Sequence, residues 1–420
     1  MNICLPSVLS RHFFAAFVIF LALTVYQPSA NARGEPDFKQ RLNAVSALLQ
    51  QQVDSGKLSG AVTMATQHGN VLHLKSIGLQ DVENRVPMTK DTIFRIYSMT
   101  KPIAGTALMM LYDEGRFKLS DPVENYIPEF RNLQVAKQDG PDGMPITEPM
   151  NHPMTIRELM SHSGGLTYGF FSQSQVDTLY VKANVMDRNS TLKEMILKLS
   201  NIPLWAQPGT KWQYSVSVDV QGYLVEVLSK MPLDRYLEEK IFKPLSMIDT
   251  AFYVPADKAP RLARYYKLNR DGKLVSEPNK DYLQEPVLLS GGGGLVSTVS
   301  DYMRFARMHL NGGELDGVRI LSKKSTQLMR QKQLDDTVNA SGNLIGNGNT
   351  FGLDFAVVND SARAANQPEG NYWWWGIAGT WFWIDPRNDF IFIGMIQTRD
   401  VRQSIGLHNY SKRLIYKDPP

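Results

Sequence analysis

Apolar residues recur at helical spacing over residues 37–53, where Leu42, Val45, Leu48 and Leu49 share one face and predict an amphipathic first helix. The period then changes. Gly60-Ala-Val-Thr-Met-Ala-Thr-Gln67 and Val71-Leu-His-Leu74 flank His68-Gly69-Asn70, the strand, turn, strand order of a β-hairpin. A second such pair is predicted over residues 380–384 and 390–397, with its turn at Asp385-Pro386-Arg387-Asn388-Asp389, and a last helix over 402–416. Hairpins towards both ends, each with a helix outside it, predict one antiparallel sheet built from both ends of the chain. The middle reads differently: residues 103–114, 190–200, 218–229 and 301–310 have helical periodicity and are linked by Pro- and Gly-rich loops. Ser190 is the expected N-cap of the second of these helices, and Thr298-Val-Ser-Asp301 resembles a capping box at the start of the last. The expected class is therefore α+β, with a sheet domain from residues 33–110 and 285–420 and a mainly helical domain, residues 111–284, inserted into it. A cleft between two such units is a natural place for a site.

The first 32 residues follow another pattern. Arg11 and His12 precede the apolar residues 13–25, and Ala30-Asn31-Ala32 offers small residues around a cleavage point. This is the layout of a signal peptide over residues 1–32, too short in its apolar core to span a bilayer; an uncleaved N-terminal anchor is the rival reading. Residence in the periplasm or outside the cell is expected, with no stable membrane span after cleavage. Cys4 is the only cysteine, so a mature chain would have no disulfide, no thiol nucleophile and no cysteine-ligated metal. The net charge of +4, from 45 basic and 41 acidic side chains, is too balanced for a nucleic-acid partner. The seven histidines show no metal-ligand spacing, and no metal or organic cofactor is expected.

Ser98-Met99-Thr100-Lys101 is the candidate for chemistry. Residues three apart on a helix share a face, so the Lys101 amine can lie beside the Ser98 hydroxyl. Pro102 fits only in the first turn of such a helix, which puts Ser98 near its N-terminus, where free N–H groups favour an oxyanion. A serine hydroxyl needs a neighbouring base to become nucleophilic. The four-residue pattern alone is weak: Ser190-Thr-Leu-Lys193 is a second match and reads as a helix start with an exposed lysine.

The wider context is more specific. Phe94-Arg-Ile-Tyr-Ser-Met-Thr-Lys101 with Pro102-Ile-Ala-Gly-Thr-Ala-Leu resembles the active-site segment of the β-lactamase-related serine hydrolases, which comprise class C β-lactamases, DD-peptidases and related carboxylesterases. Leu119-Ser-Asp-Pro-Val123, Ile156-Arg-Glu-Leu-Met-Ser-His-Ser-Gly-Gly-Leu166, Pro208-Gly209, Tyr214-Ser215, Gly293-Gly294-Leu-Val-Ser297 and Gly376-Ile-Ala-Gly-Thr380 follow in the family's order. The resemblance implies a β-lactamase/penicillin-binding-protein-like fold, Ser98 as nucleophile, and Lys101 and Tyr214 managing the proton. Tyr214-Ser215-Val216 stands where the family has Tyr-x-Asn, with Ser215 or Ser217 as possible substitutes for the lost amide. The lactamases' Lys-Thr-Gly is replaced by Trp375-Gly376-Ile377-Ala378, which resembles the Trp-Gly-Gly of some carboxylesterases. By that likeness Trp375, Gly376 and Ile377 border the substrate, and the backbone N–H groups of Ala378 and Ser98 form the oxyanion hole. Loss of the asparagine and of a cation for a penicillin-type acid points to a small-molecule ester, ahead of an amide or β-lactam substrate. A cell-wall peptidase or β-lactamase, and a non-catalytic binding protein on the same scaffold, are the other readings.

Other features are set beside these. Five of the seven tryptophans fall between Trp373 and Trp383, as a buried strand or an aromatic pocket wall. Tyr168-Gly-Phe-Phe171 reads as a loop anchor or a pocket lip, Gly291 to Gly294 as a tight backbone approach, and His162 as structural.

Overall fold

The computed structural model describes residues 38–277, 280–340 and 344–416; the leader expected over residues 1–32 lies outside them. Eight strands form one sheet: β1 (Gly60–Gln67), β2 (Asn70–Asp81), β3 (Val86–Pro87), β4 (Asn349–Phe351), β5 (Ala356–Val358), β6 (Tyr372–Gly376), β7 (Thr380–Asp385) and β8 (Phe390–Met395). Their order is β4-β5-β6-β7-β8-β1-β2-β3, antiparallel throughout. The seam between the two halves of the chain is the β1–β8 ladder, which runs from Val62 opposite Met395 to Gln67 opposite Phe390.

Six helices carry the rest of the argument: α1 (Phe38–Asp54), α2 (Thr100–Asp113), α3 (Leu192–Leu199), α4 (Ser217–Ser229), α5 (Val299–Leu310) and α6 (Val401–Tyr416). On α1 the buried residues are Phe38, Leu42, Val45 and Leu49, the stripe its periodicity predicts. Side chains alternate across the sheet. From β7, Trp383 stacks on Phe392 and neighbours Tyr416 of α6, and Trp381 neighbours His408 of the same helix; Phe382 lies instead against Tyr302 of α5. Phe38 of α1 stacks on Phe390 with ring centres 4.3 Å apart. The sheet is thus covered by α1 and α6 on one face and by α5 on the other.

Helix α2 is buried on every side from Thr100 to Met109, which is why it carries no polar stripe. The cap of α3 lies one residue later than expected. Thr191 accepts from the Glu194 N–H while Glu194 reaches back to the Thr191 N–H, and Ser190 donates to the Asp187 carbonyl. A Thr-x-x-Glu box satisfies two free N–H groups where a lone serine would satisfy one. At α5, Thr298 caps the Asp301 N–H, but the Asp301 carboxylate turns away to the Asp249 N–H and the Thr250 hydroxyl. Among the described residues no helix is long and apolar enough to cross a membrane.

Because Leu49 is wholly buried in the apolar stripe of α1, Leu49→Ala is expected to destabilise the chain by about 2–5 kcal/mol. The check is a lower urea midpoint with an unchanged slope.

Candidate active site

The site begins with a strained turn. Tyr97, Ser98 and Met99 form a single 3₁₀ turn leading into α2, and Tyr97 has φ of +40°, a conformation that non-glycine residues rarely hold. The surroundings fix it: Ile96 N–H donates to Leu295 O, Met99 N–H to Ile96 O, and the Tyr302 hydroxyl to Met99 O. The end of β6 lies directly against this turn. A Cβ at Gly376 would meet the Ile96 carbonyl at 2.3 Å, so only glycine allows the strand so close.

Lys101, in the first turn of α2, is wholly buried. Its amine donates to the Tyr168 hydroxyl at 2.8 Å and the Gly292 carbonyl at 2.6 Å, and faces the Ser98 hydroxyl oxygen at 3.4 Å. No carboxylate of the described residues makes an ion pair with it. The nearest acids are held elsewhere: Asp219 accepts from Ser290 Oγ and from the Gly292 N–H at 3.1 Å, and Asp354 accepts from Gln221 at 3.0 Å. A Cβ at Gly292 would meet the Asp219 carboxylate at 2.4 Å and the Tyr168 hydroxyl at 2.9 Å, so this approach also requires glycine. Burial brings Lys101 down to about 7, with Asp219 and Asp354 opposing the fall. Burial likewise pushes both acids above the ordinary carboxylate range, with Lys101 opposing.

Tyr214 offers Lys101 its ring face, 4.5 Å from the amine to the ring centre. Its hydroxyl is buried near the Ser98 hydroxyl and the Trp374 indole without completing a hydrogen bond to either. Burial raises the phenol well above its ordinary range, the neighbouring Ser98 and Trp374 donors tempering the rise. Tyr168 is raised too, by burial and then by Tyr214 and Asp219. Both phenols therefore keep their protons at neutral pH.

Ser98 opens on a cavity of about 400 Å³ whose wall is mostly apolar: Phe170, Phe171, Met186, Leu288, Trp374 and Ile377 line it beside Tyr168, Tyr214 and Trp375. Of the residues expected at a site, Ser98, Tyr214, Trp375 and Ile377 line this cavity and Lys101 touches Ser98 from behind. Gly376, Ser215 and Ala378 do not line it. Gly376 serves the strand approach, and the Ser215 hydroxyl bonds His162 Nδ1 at 3.1 Å and Ser217 Oγ at 2.6 Å. Ala378 is wholly buried, with its carbonyl taken by the Thr398 N–H, while Ile377, one residue earlier, is 42% exposed at the cavity. Tyr168, Gly292, Trp374, Asp219 and Asp354 complete the arrangement; the sequence singles out the backbone approach near Gly292, the lip at Tyr168 and the tryptophan cluster that holds Trp374, but neither acid. For Asp219 the available signal was an acid inside an apolar helical run. His162 is buried among Trp212, Tyr214 and Phe351.

A serine hydroxyl beside a lysine held near neutrality, in an apolar pocket against a strand end, is the constellation of a serine hydrolase. The chain belongs to the Beta-lactamase family, whose model matches residues 45–416, and it is a serine hydrolase on that fold. It is 36% identical over 366 residues to Protein Rv1367c of Mycobacterium tuberculosis, covering 85% of this chain and 90% of that one. It is 30% identical over 375 residues to Esterase EstB of Burkholderia gladioli, covering 84% and 89%. Among solved structures, EstCE1, a hydrolase with promiscuous acyltransferase activity, superposes with a TM-score of 0.77 at 25% identity, covering 90% of this chain and 99% of the other.

Titration of the Lys101 side chain by NMR is expected to give a midpoint near 7 rather than near 10.5. Because the Asp219 charge raises that value, Asp219→Asn should lower it further. A midpoint close to 10 in the folded protein would contradict this account of the amine.

Proposed function

We propose that this chain is a carboxylesterase in which Ser98 carries the acyl group. One observation supports the reading above others: the Lys101 amine is held on two sides by Tyr168 and Gly292 and meets Ser98 on the third. A neutral amine has two N–H bonds to give and one lone pair. Donation to Tyr168 Oη and Gly292 O leaves the lone pair for the Ser98 proton, so Lys101 acts as general base.

In the first step the Ser98 oxygen bonds to the ester carbonyl carbon as its proton passes to Lys101. The carbonyl oxygen becomes an oxyanion between the N–H groups of Ser98 and Ile377, a register one residue before Ala378. Collapse breaks the bond to the alcohol oxygen, which takes a proton from the Tyr214 phenol; the proton held by Lys101 reaches the phenolate through the water that enters as the alcohol leaves. Water then adds to the acyl carbon, giving a proton to Lys101; collapse breaks the bond to Ser98 Oγ, which takes that proton back from Lys101, and the acid leaves. Of the proton handling that the family resemblance gives to Lys101 and Tyr214 together, Tyr214 is thus assigned the acid's part, because burial holds its proton on and the amine meets its ring rather than its oxygen. The apolar lining, in which Ile377 fills the strand edge, favours an apolar acyl or alcohol group, and the esterase among the relatives accords with an ester substrate. Export belongs to the same reading, supported by the layout of residues 1–32.

The test is hydrolysis of a short-chain nitrophenyl ester and a chromogenic cephalosporin by the full chain. Ester turnover should vanish in Ser98→Ala, fall roughly 10²–10⁴-fold in Tyr214→Phe, and greatly exceed cephalosporin turnover. Since only neutral Lys101 accepts the proton, kcat/KM should rise with pH through about 7. Equal rates for Ser98→Ala and the unaltered chain would refute the nucleophile, and fast cephalosporin turnover the ester assignment. For export, mass spectrometry of the chain expressed from its full sequence should find an N-terminus at residue 33; an intact leader would refute cleavage there.

A further inference from the structure

A second buried lysine lies away from the chemistry. The inward face of α6 carries His408 and Lys412 one turn apart, at the spacing that places both on the same side. Lys412 is 4% exposed, and its amine lies over the Trp373 ring, 3.3 Å from the centre. It has no ion pair and no hydrogen bond among the described residues. An aromatic face attracts a cation, but it accepts none of the three N–H bonds of an ammonium as a carbonyl would. Isolated buried charges are strongly disfavoured unless paired, so a lysine kept in such a place asks for a partner. Burial pushes its amine well below the ordinary range, and burial together with Lys412 does the same to His408.

Lys412 lines a cavity of about 380 Å³. Arg363 and Arg413 stand exposed at its edge and His408 lies inside it, while no aspartate or glutamate lines it. Neither arginine makes an ion pair with a carboxylate of the described residues. His408 Nε2 and Gln367 Oε1 are buried there without hydrogen-bond partners. Three basic side chains and a histidine thus border a half-open space with no carboxylate in its lining. Leu344, Trp375 and Ile405 line both this cavity and the one that holds Ser98, so the two spaces share a wall.

We propose that this cavity is an anion site, in which Lys412 at the base and Arg363 and Arg413 at the mouth hold the oxyanion group of a small organic acid or phosphate. The oxygens supply the acceptors that the Lys412 amine lacks, and the arginines add planar N–H pairs suited to carboxylate or phosphate. The anion has two sources that the site treats alike: the far end of a substrate whose ester lies at Ser98, or a separate small molecule bound across the Trp375 wall.

Calorimetric titration of the full chain with adipate and with inorganic phosphate, at constant ionic strength in sodium chloride, tests the site. Saturable binding of at least one is expected, equal in Ser98→Ala and at least tenfold weaker in Lys412→Met. Arg363→Gln, at the exposed mouth, should weaken it several-fold and provides the test if Lys412→Met does not fold. Absence of saturable binding, or binding unchanged in both basic-residue variants, would overturn the proposal. The source follows from comparing the nitrophenyl half-ester of adipic acid with a neutral nitrophenyl ester, an arm that rests on the esterase reading. A lower KM for the half-ester that disappears in Lys412→Met identifies a substrate tail. Unchanged KM values beside lost anion binding identify a separate ligand, and failure of both esters to turn over leaves the calorimetric result standing by itself.

Discussion

Lys101 sits out of water with its amine against a carbonyl, a phenol and a serine, and with two carboxylates near enough to be felt but bonded elsewhere. Desolvation alone would make it a neutral amine; a touching carboxylate would make it a permanent ammonium. The arrangement lies between those limits, near 7, where an amine both takes a proton and gives it back. Each neighbouring feature preserves that balance. Asp219 is tied to Ser290 and the Gly292 N–H, so its charge acts at a distance, and the same glycine turns its carbonyl to the lysine. Asp354 is tied to Gln221.

Such a balance demands a rigid frame, and the alternation of the sheet supplies it. Along β6 successive tryptophans point to opposite faces: Trp373 meets His408 of α6, and Trp374 meets Tyr214 and Phe351. One strand therefore anchors the outer helix and closes the pocket around the tyrosine. Its end at Gly376 touches the carbonyl that also accepts from Met99 N–H, so the strained turn at Tyr97 is held from the strand and from α5 together. Strain of this kind, on the order of 1–3 kcal/mol, persists only where the surroundings over-determine it.

Periodicity made much of this frame legible. The two hairpins, the helix outside each and the helical middle follow from the spacing of apolar residues, because burial of one face dictates that spacing. Ser98 and Lys101 were legible through the ordered motifs of the family around them, since three-residue spacing alone has a second match at Ser190 and Lys193. The remaining contacts were not, for physical reasons. Gly292 accepts from Lys101 across 191 residues of sequence, and no local pattern reports such a meeting. Tyr168 looks like any aromatic in a loop until the fold brings its hydroxyl to the amine. The second oxyanion donor, expected at Ala378 and proposed at Ile377, turns on where a three-residue turn between β6 and β7 begins, with Gly376 paired to Thr380. The capping of α3 by Thr191 rather than Ser190 is a shift of the same kind, decided by the reach of Glu194.

The two buried lysines show how much the identity of the acceptors matters. Both are desolvated, and both are driven towards the neutral amine. Lys101 has a carbonyl and a phenol oxygen for its N–H bonds, and negative charge in the background returns part of what desolvation removes. Lys412 has an aromatic face that attracts its charge but takes none of its N–H bonds as a carbonyl would, a neutral histidine that makes no hydrogen bond to it, and two arginines of the same sign. An amine needed only for packing on Trp373 would be replaced without loss by methionine, which fills the same volume with no polar atom. Retaining a basic group there, beside a cavity edged by further cations, suits a partner that brings the missing negative charge. By the same logic Lys101 needs no such partner, and its open side is left to the Ser98 proton.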